Sequence, residues 1–323
     1  MVLLVSPHNV VKKDYYVNNF VINESSKLNK KNYSIYSQGI NISSCLKTLQ
    51  TEPFLLTFFG GVNGKHVKNH LHVNRIKFDS IHIAMNSYEK INIIDEENHT
   101  HTIINDYFSK VDEKVEQAYL NLYKENVKRC QFAIFEDRLN EYISENAVIE
   151  MAREADSQNV RTVLDVKSNL TKEYITGIKP YLVKFNKKSL DAYDERWDDI
   201  EDLKEFAKKY IDEGIHYVLI DLHEDGILLF SKDRYLMVDS KVLEKNYMLT
   251  NQATDAALAG FLTGLSKNYE EEKTLKLAYS SELAVYTFGH IEDLNRKNIF
   301  DLRKNTKVRF HKLNESNEDK EDK

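Results

Sequence analysis

The chain has 323 residues, enough for one large α/β unit or two small ones. Hydrophobic residues make up 41% and charged residues 30%, the balance of an ordinary soluble globular chain, and no run of 18 or more apolar residues is present to span a membrane. The net charge of −6 offers no basic surplus, which argues against a nucleic-acid partner.

In chain order, Met1–Pro7 is apolar but short, with no basic flank and no small-residue cleavage site, so it reads as a first strand and not as a signal peptide. Strands are predicted at Val2–Val5, Phe54–Phe58, Phe132–Phe135, Thr162–Val166, Tyr181–Phe185, Tyr217–Leu222 and Ile227–Phe230. Several are continuous apolar runs, as suits strands of a parallel sheet buried on both faces. Helices are predicted at Asn41–Leu49, Lys65–Val73, Asp112–Asn126, Glu145–Ser157, Asp198–Glu213, Asp255–Lys267 and Glu270–Phe288. Strand followed by helix followed by strand is the pattern of crossover βαβ units.

Two segments, about 10–36 and 82–105, break that rhythm by alternating polar and apolar residues. Both read as half-exposed antiparallel strands, forming a small sheet that serves as a lid or a dimer surface. No Pro, Gly or Ser-rich linker divides the chain, so residues 1–311 are expected to form a single domain with that lid inserted, and the polar stretch 312–323 a disordered tail. Cys45 and Cys130 lie far apart without metal-ligand spacing, which fits a reducing cytoplasm better than a disulfide framework. Glycine occurs only 10 times, about 3% against a usual 7%, which leaves few places where backbone can approach a phosphate closely.

Some single positions support two readings. Asp255 precedes the apolar stretch Ala256–Leu265, so Thr254 or Asp255 reads as an N-cap worth about 1 kcal/mol, or as part of a helix N-terminus that favours anions. Lys184 and Asn186 end a predicted strand, where ligands bind in open α/β sheets; the plainer alternative is a solvated lysine and a turn asparagine. Asn41 reads as a cap of the helix it opens. Lys90 and Asn92 lie on the lid, where a lysine is also an ordinary surface residue. His66, His70 and His72 have no carboxylate partner in sequence and read as histidines of an exposed helix, so no metal site is expected.

Four segments in order resemble motifs of the PfkB sugar-kinase family. Gln38-Gly39-Ile40-Asn41 resembles its Gly-Gly-Lys-Gly-(Ile/Val)-Asn segment, and Phe58-Phe59-Gly60-Gly61-Val62-Asn63-Gly64 its Leu-Gly-Gly-x-x-Gly turn. Val183-Lys184-Phe185-Asn186 resembles its Lys-Pro-Asn strand end, and Gln252-Ala253-Thr254-Asp255 with Ala259-Gly260-Phe261 its Gly-Ala-Gly-Asp signature. Lys90-Ile91-Asn92-Ile93 looks like the lid's Arg-x-Asn segment, and Tyr217–Gly226 like the strand and hairpin before the nucleotide site. The nearest branch is the 1-phosphofructokinase and tagatose-6-phosphate kinase group.

The resemblance implies a ribokinase-like three-layer α/β sandwich with a mostly parallel central sheet and a small β-sheet lid. It implies Asp255 as catalytic base, an anion hole at Gln252, Ala253 and Thr254, and sugar-phosphate contacts from Gln38, Gly39, Asn41, Lys90 and Asn92. Nucleotide contacts would come from Lys184, Asn186, Asp221, Glu224 and Gly226. ATP and Mg²⁺ would be needed; separately, because a small sheet with one apolar face is marginal alone, a homodimer is expected through the lid.

The departures fall on the chemistry. Gln252 and Thr254 stand for the signature glycines, and Tyr36, Ser37 and Gln38 for Gly, Gly and Lys. Val10 stands where Asn-Pro-x-x-Asp would carry its acid, and Ser189 where a magnesium-linked glutamate is expected. Phe135-Glu136-Asp137-Arg138 replaces a Ser-Gly-Ser-x-Pro loop, and Asp221-Leu222-His223 a Ser-Leu-Gly segment. Each loss could remove one to several kcal/mol, roughly, of transition-state stabilisation. Two functions therefore stand side by side: ATP-dependent phosphoryl transfer to a sugar phosphate, weak or impaired, or an inactive relative that binds ligands and acts as a regulator or scaffold.

Overall fold

The computed structural model describes residues 1–107, 109–168, 170–191, 193, 199–239 and 249–312, with the side chains of Asp137, Glu224 and Asp239 outside that description. The strands are β1 Val2–Val5, β2 Val10–Val17, β3 Leu28–Tyr36, β4 Pro53–Phe59, β5 Lys77–His82, β6 Glu89–Asp95, β7 Thr100–Asn105, β8 Phe132–Glu136, β9 Arg161–Val166, β10 Leu182–Asn186, β11 Tyr217–Asp221, β12 Gly226–Phe230, β13 Arg234–Asp239 and β14 Val308–Lys312. The helices are α1 Gln38–Thr48, α2 Gly61–Val73, α3 Glu113–Val127, α4 Glu145–Ser157, α5 Lys172–Ile178, α6 Lys187–Asp191, α7 Ile200–Ile211, α8 Thr250–Ser266, α9 Glu271–Phe288 and α10 Arg296–Lys304.

Among the described residues, a ten-stranded sheet runs β14-β13-β12-β11-β10-β9-β8-β1-β4-β5. Every neighbouring pair from β11 to β5 is parallel, and β12, β13 and β14 add on antiparallel. The strands pack on both faces because their side chains alternate. Val2 and Leu4 of β1 enter one apolar cluster with α1, α8 and α9, while Leu3 and Val5 enter the other with α3, α4 and α7. That makes three layers: helices, sheet, helices.

Along four adjacent strands the face toward α8 is apolar at first and becomes polar at its C-terminal end. Phe132 and Ile134 lead to Glu136, Val163 to Asp165, Leu182 to Lys184, and Tyr217 and Leu219 to Asp221. Register then sets these polar ends side by side: Glu136 opposite Asp165, Asp165 opposite Lys184, and Asn186 opposite Asp221. The candidate site grows from this row.

A separate four-stranded sheet runs β3-β2-β6-β7. It comes from the segments expected to form the lid, with two corrections. His82, the first residue of the segment 82–105, belongs to β5 of the large sheet, because it continues in register beside β4. The pair β2 and β6 is parallel, not antiparallel, because the chain makes a crossover through the large sheet between them. The strands β5, β13 and β14 were not expected; β13 and β14 are short antiparallel strands, with β14 at the edge, and their charged residues mask the period. Lys312 ends β14 and so is not part of a tail, while residues 313–323 lie outside the described residues.

Candidate active site at the C-terminal edge of the sheet

Asp255 is the centre of the site, and it does not begin its helix. Helix α8 starts at Thr250, about one turn before the expected position, so Ala253, Thr254 and Asp255 lie within its first two turns. A helical residue in the second turn donates its N–H to the carbonyl four residues back. The N–H groups of Ala253 and Thr254 thus belong to the helix ladder instead of preceding it, and neither Thr254 nor Asp255 is the cap. Gln252 is also turned elsewhere: its side-chain oxygen accepts the N–H of Ile291 at 2.9 Å.

The Asp255 carboxylate is 1% exposed and held at both oxygens. Asn41 Nδ2 donates to Oδ2 at 2.8 Å, and Lys167 Nζ to Oδ1 at 2.6 Å. Asn41 reaches it because α1 is capped by Ser37, whose Oγ accepts from Ile40 N, leaving the Asn41 side chain to point across to α8. Burial pushes the Asp255 carboxyl up, and Lys167 and Asn41 oppose that. Burial disfavours the Lys167 charge too, yet Asp255 and Asp165 overcome it and hold Lys167 above its ordinary value. The two directions differ for one ion pair; the short contact and the Asn41 donor decide for a carboxylate facing an ammonium.

A second knot lies beside the first. Lys184 is fully buried and contacts Thr254 Oγ1 at 2.5 Å, Asp165 Oδ1 at 3.2 Å and Asp221 Oδ2 at 3.7 Å. Thr254 Oγ1 also bonds Asp221 Oδ2. Burial raises the Asp221 carboxyl, but His223, Lys184 and Thr254 together hold it below the usual carboxylate range. Lys184 is therefore an interior ion-pair residue and not a solvated loop lysine. Gln38 Nε2 donates to Asp165 Oδ2, and the Gly39 N–H donates to Glu136 Oε1 at 3.1 Å. Gly39 is there for space as well, since a Cβ would sit 2.5 Å from Ser6 Cβ.

Other expected residues stand apart from this knot. Lys90 and Asn92 lie on β6 of the small sheet; Asn92 is buried and donates to Asp14 Oδ1 at 2.5 Å, and Lys90 lies opposite Lys12. Gly226 takes φ +108°, a left-handed value that suits glycine, and leads into β12. Glu224 lies in the short 3₁₀ turn His223–Asp225, and its side chain lies outside the described residues.

The magnesium expectation can be tested on Asn186 and Ser189. Asn186 Oδ1 accepts the Ser189 N–H at 2.8 Å, and Ser189 Oγ donates to the Asn186 carbonyl at 2.8 Å. This turn closes on itself and presents no carboxylate, so it does not fit magnesium, which takes oxygen ligands and usually at least one carboxylate. Among the described residues, donor atoms of Asp221, His223 and Glu282 fall within 4.8 Å of one another. That set mixes imidazole with carboxylates, which suits a transition metal better than magnesium.

Three residues of the site were missed from sequence: Glu136, Asp165 and Lys167. The signal was present in Thr162-Val163-Leu164-Asp165-Val166-Lys167, an acid and a base at the end of a buried strand, where ligand sites form in open α/β sheets.

An open, mostly parallel α/β sheet covered by helices on both faces, with a separate small sheet, is the architecture of a ribokinase-like protein. The family model for "pfkB family carbohydrate kinase" matches residues 18–297, and the chain belongs to that family. It is 24% identical over 260 residues to a 1-phosphofructokinase of Bacillus subtilis, spanning 79% of this chain and 83% of that one. It is 25% identical over 234 residues to a D-tagatose-1-phosphate kinase of Bacillus licheniformis, spanning 72% and 75%. Among solved structures, phosphofructokinase-2 of Escherichia coli in complex with potassium superimposes with a TM-score of 0.80 at 13% identity, covering 94% of this chain and 98% of that one. That likeness is one of fold. Among the described residues, no helix is long and apolar enough to cross a membrane.

Proposed function

We propose that the protein transfers a phosphoryl group from ATP to a sugar phosphate of the fructose 1-phosphate or tagatose 6-phosphate kind, slowly, with Asp255 as base. The observation that carries this is the placement of Asp255: a buried carboxylate held by Asn41 and Lys167 at the C-terminal edge of the sheet. In the reaction, Asp255 takes the proton of the sugar hydroxyl as that oxygen bonds to the γ-phosphorus. The bond from the γ-phosphorus to its bridging oxygen breaks, and ADP carries away the electron pair. Gln38, Gly39, Asn41, Lys90 and Asn92 serve the sugar phosphate, and Lys184, Asn186, Asp221, Glu224 and Gly226 line the nucleotide side. Slow turnover follows from α8, whose ladder takes the N–H groups of Ala253 and Thr254 that would otherwise form an anion hole with Gln252.

The test is ADP release with fructose 1-phosphate and with tagatose 6-phosphate, beside calorimetric titration of ATP with magnesium. Turnover that survives Asp255→Asn would remove Asp255 as the base.

A second reading is a protein that binds sugar phosphate or nucleotide without transfer, as a regulator or scaffold. The sealed Lys184–Thr254–Asp221 contact favours it, because a phosphate would have to break that contact to reach Lys184. Ligand binding without ADP release is its signature.

The small sheet is the proposed homodimer surface. Leu28 and Tyr33 on β3 and Ile103 and Ile104 on β7 are about half exposed, at 46%, 56%, 47% and 51%, on two edge strands that a second copy would cover. A monomeric mass by light scattering at micromolar concentration would end this proposal.

A further inference from the structure

We propose that Lys167 is the cation that meets the anionic phosphoryl group, stored against Asp255 until a ligand arrives; this rests on the phosphoryl-transfer reading above. Four buried carboxyl groups, Glu136, Asp165, Asp221 and Asp255, gather at the sheet edge. Among the described residues, Lys167 lies against Asp255 and Asp165, and Lys184 against Asp165 and Asp221. In a row this rich in carboxyls an arriving phosphoryl group meets repulsion unless a lysine turns toward it.

The two lysines differ in access. The Lys184 side chain is 0% exposed and fixed by Thr254, Asp165 and Asp221, whereas the Lys167 side chain is 22% exposed. Lys167 follows directly on the last residue of β9, at the open end of the sheet. Its Nζ lies 2.6 Å from Asp255 Oδ1 and 3.9 Å from Asp165 Oδ2. An ammonium between the base and the solvent side is where a transferred group beside Asp255 would pass. Its swing toward phosphate would also release Oδ1 of Asp255 to accept the hydroxyl proton, so one side-chain movement would free the base and neutralise the ligand.

Gln38 supplies the means of testing this. Its amide nitrogen donates to Asp165 Oδ2, the same oxygen that Lys167 approaches. Side chains from α1 and from the end of β9 therefore converge on one point, and a lysine at 38 would place an ammonium near the position of the one lost from 167.

The experiment compares wild type, Lys167→Met, Lys167→Arg and the double variant Lys167→Met with Gln38→Lys. ADP release is followed across pH with fructose 1-phosphate and ATP–magnesium, and folding by thermal melting. Lys167→Met is expected to lower kcat by about 100-fold, as for loss of one preorganised charge at a transition state. It should also shift the acid limb of the pH–rate profile upward, because Asp255 loses its counter-ion. The folded double variant should recover to within about tenfold of wild type, and Lys167→Arg should retain more activity than Lys167→Met. A Lys167→Met variant as fast as wild type or faster would show a lock on the base and overturn the proposal, and so would a folded double variant with no recovery. If wild type itself releases no ADP, the phosphoryl-transfer reading fails separately. Lys167 is then read by calorimetry with inorganic pyrophosphate: a loss of tenfold or more in affinity in Lys167→Met upholds its anion role. Equal affinities, or no pyrophosphate binding by wild type, overturn it.

Discussion

Asn41 and Asp255 stand 214 positions apart in the chain and share a 2.8 Å hydrogen bond in the interior. The bond ties the first turn of α1 to the second turn of α8 and leaves the other oxygen of the carboxylate to Lys167. Asp255→Asn keeps the shape of the side chain but removes its charge and basicity. Phosphoryl transfer should fall by about 100-fold or more, since general-base catalysis contributes roughly that much. Melting temperature and ADP release, measured together, separate loss of chemistry from loss of fold.

Lys184 leaves two carboxylates behind if it is removed. Asp165 and Asp221 are both 0% exposed and have it as a shared partner. Lys184→Met should destabilise the fold by roughly 3–5 kcal/mol, because buried charges lose their counter-ion. Urea denaturation at neutral pH measures it, and a change under 1 kcal/mol would contradict the picture of a sealed ionic knot.

Helices α8 and α9 approach closely at Gly260. A Cβ there would lie 2.6 Å from the Leu277 carbonyl oxygen and 2.9 Å from Ala278 Cα, and backbone cannot yield as a flexible side chain can. Gly260→Ala should therefore cost about 1–3 kcal/mol by overpacking, even though alanine is the better helix former. Gly177, whose Cβ would meet only Ile149 Cδ1 at 3.9 Å, is the control and should tolerate alanine.

His8 gives stability a pH dependence. Burial, with help from Arg138, pushes its imidazole down to about 3, and it shares a hydrogen bond with Tyr142. The unfolded chain binds a proton near pH 6.5 and the folded protein does not, so stability falls as pH drops below about 6.5 and goes on falling toward about 3. Between pH 6.5 and 5 the His8 contribution is roughly 2 kcal/mol, at about 1.4 kcal/mol per pH unit. Denaturant titrations at pH 7 and pH 5 should show a smaller drop for His8→Gln than for wild type. Equal drops would mean that His8 is protonated in the fold.

Much of the fold was legible because it rests on local pattern. Continuous apolar runs such as Phe132–Phe135 and Tyr217–Leu222 can only be buried on both faces, and helical stretches between them force parallel crossovers. The motif residues Gly39, Asn41, Lys184 and Asp255 were singled out by their resemblance to PfkB motifs, because local pattern alone reads them equally as caps, turns or solvated residues. The start of α8 was not visible. Leu249 provides no side-chain cap, while Asp255 before an apolar run looks like a helix start. Packing of α8 against α9 and α1 carries the helix back to Thr250, and that displacement takes Ala253 and Thr254 into the ladder.

The sequence alone determined that this chain builds a three-layer α/β fold of the PfkB kind and that the positions matching the family's phosphate-handling motifs are altered. Composition, alternation and motif order are properties of neighbours along the chain, and they carried that far. Only the tertiary structure decided what replaced the altered positions. Strand register set Glu136 beside Asp165 and Asp165 beside Lys184, and the packing of α8 on the sheet brought Lys167 onto Asp255 across 88 residues. Charges so far apart in sequence acquire a common environment only when the sheet pairs, because electrostatic contact depends on distance in space and burial, neither of which a linear spacing records.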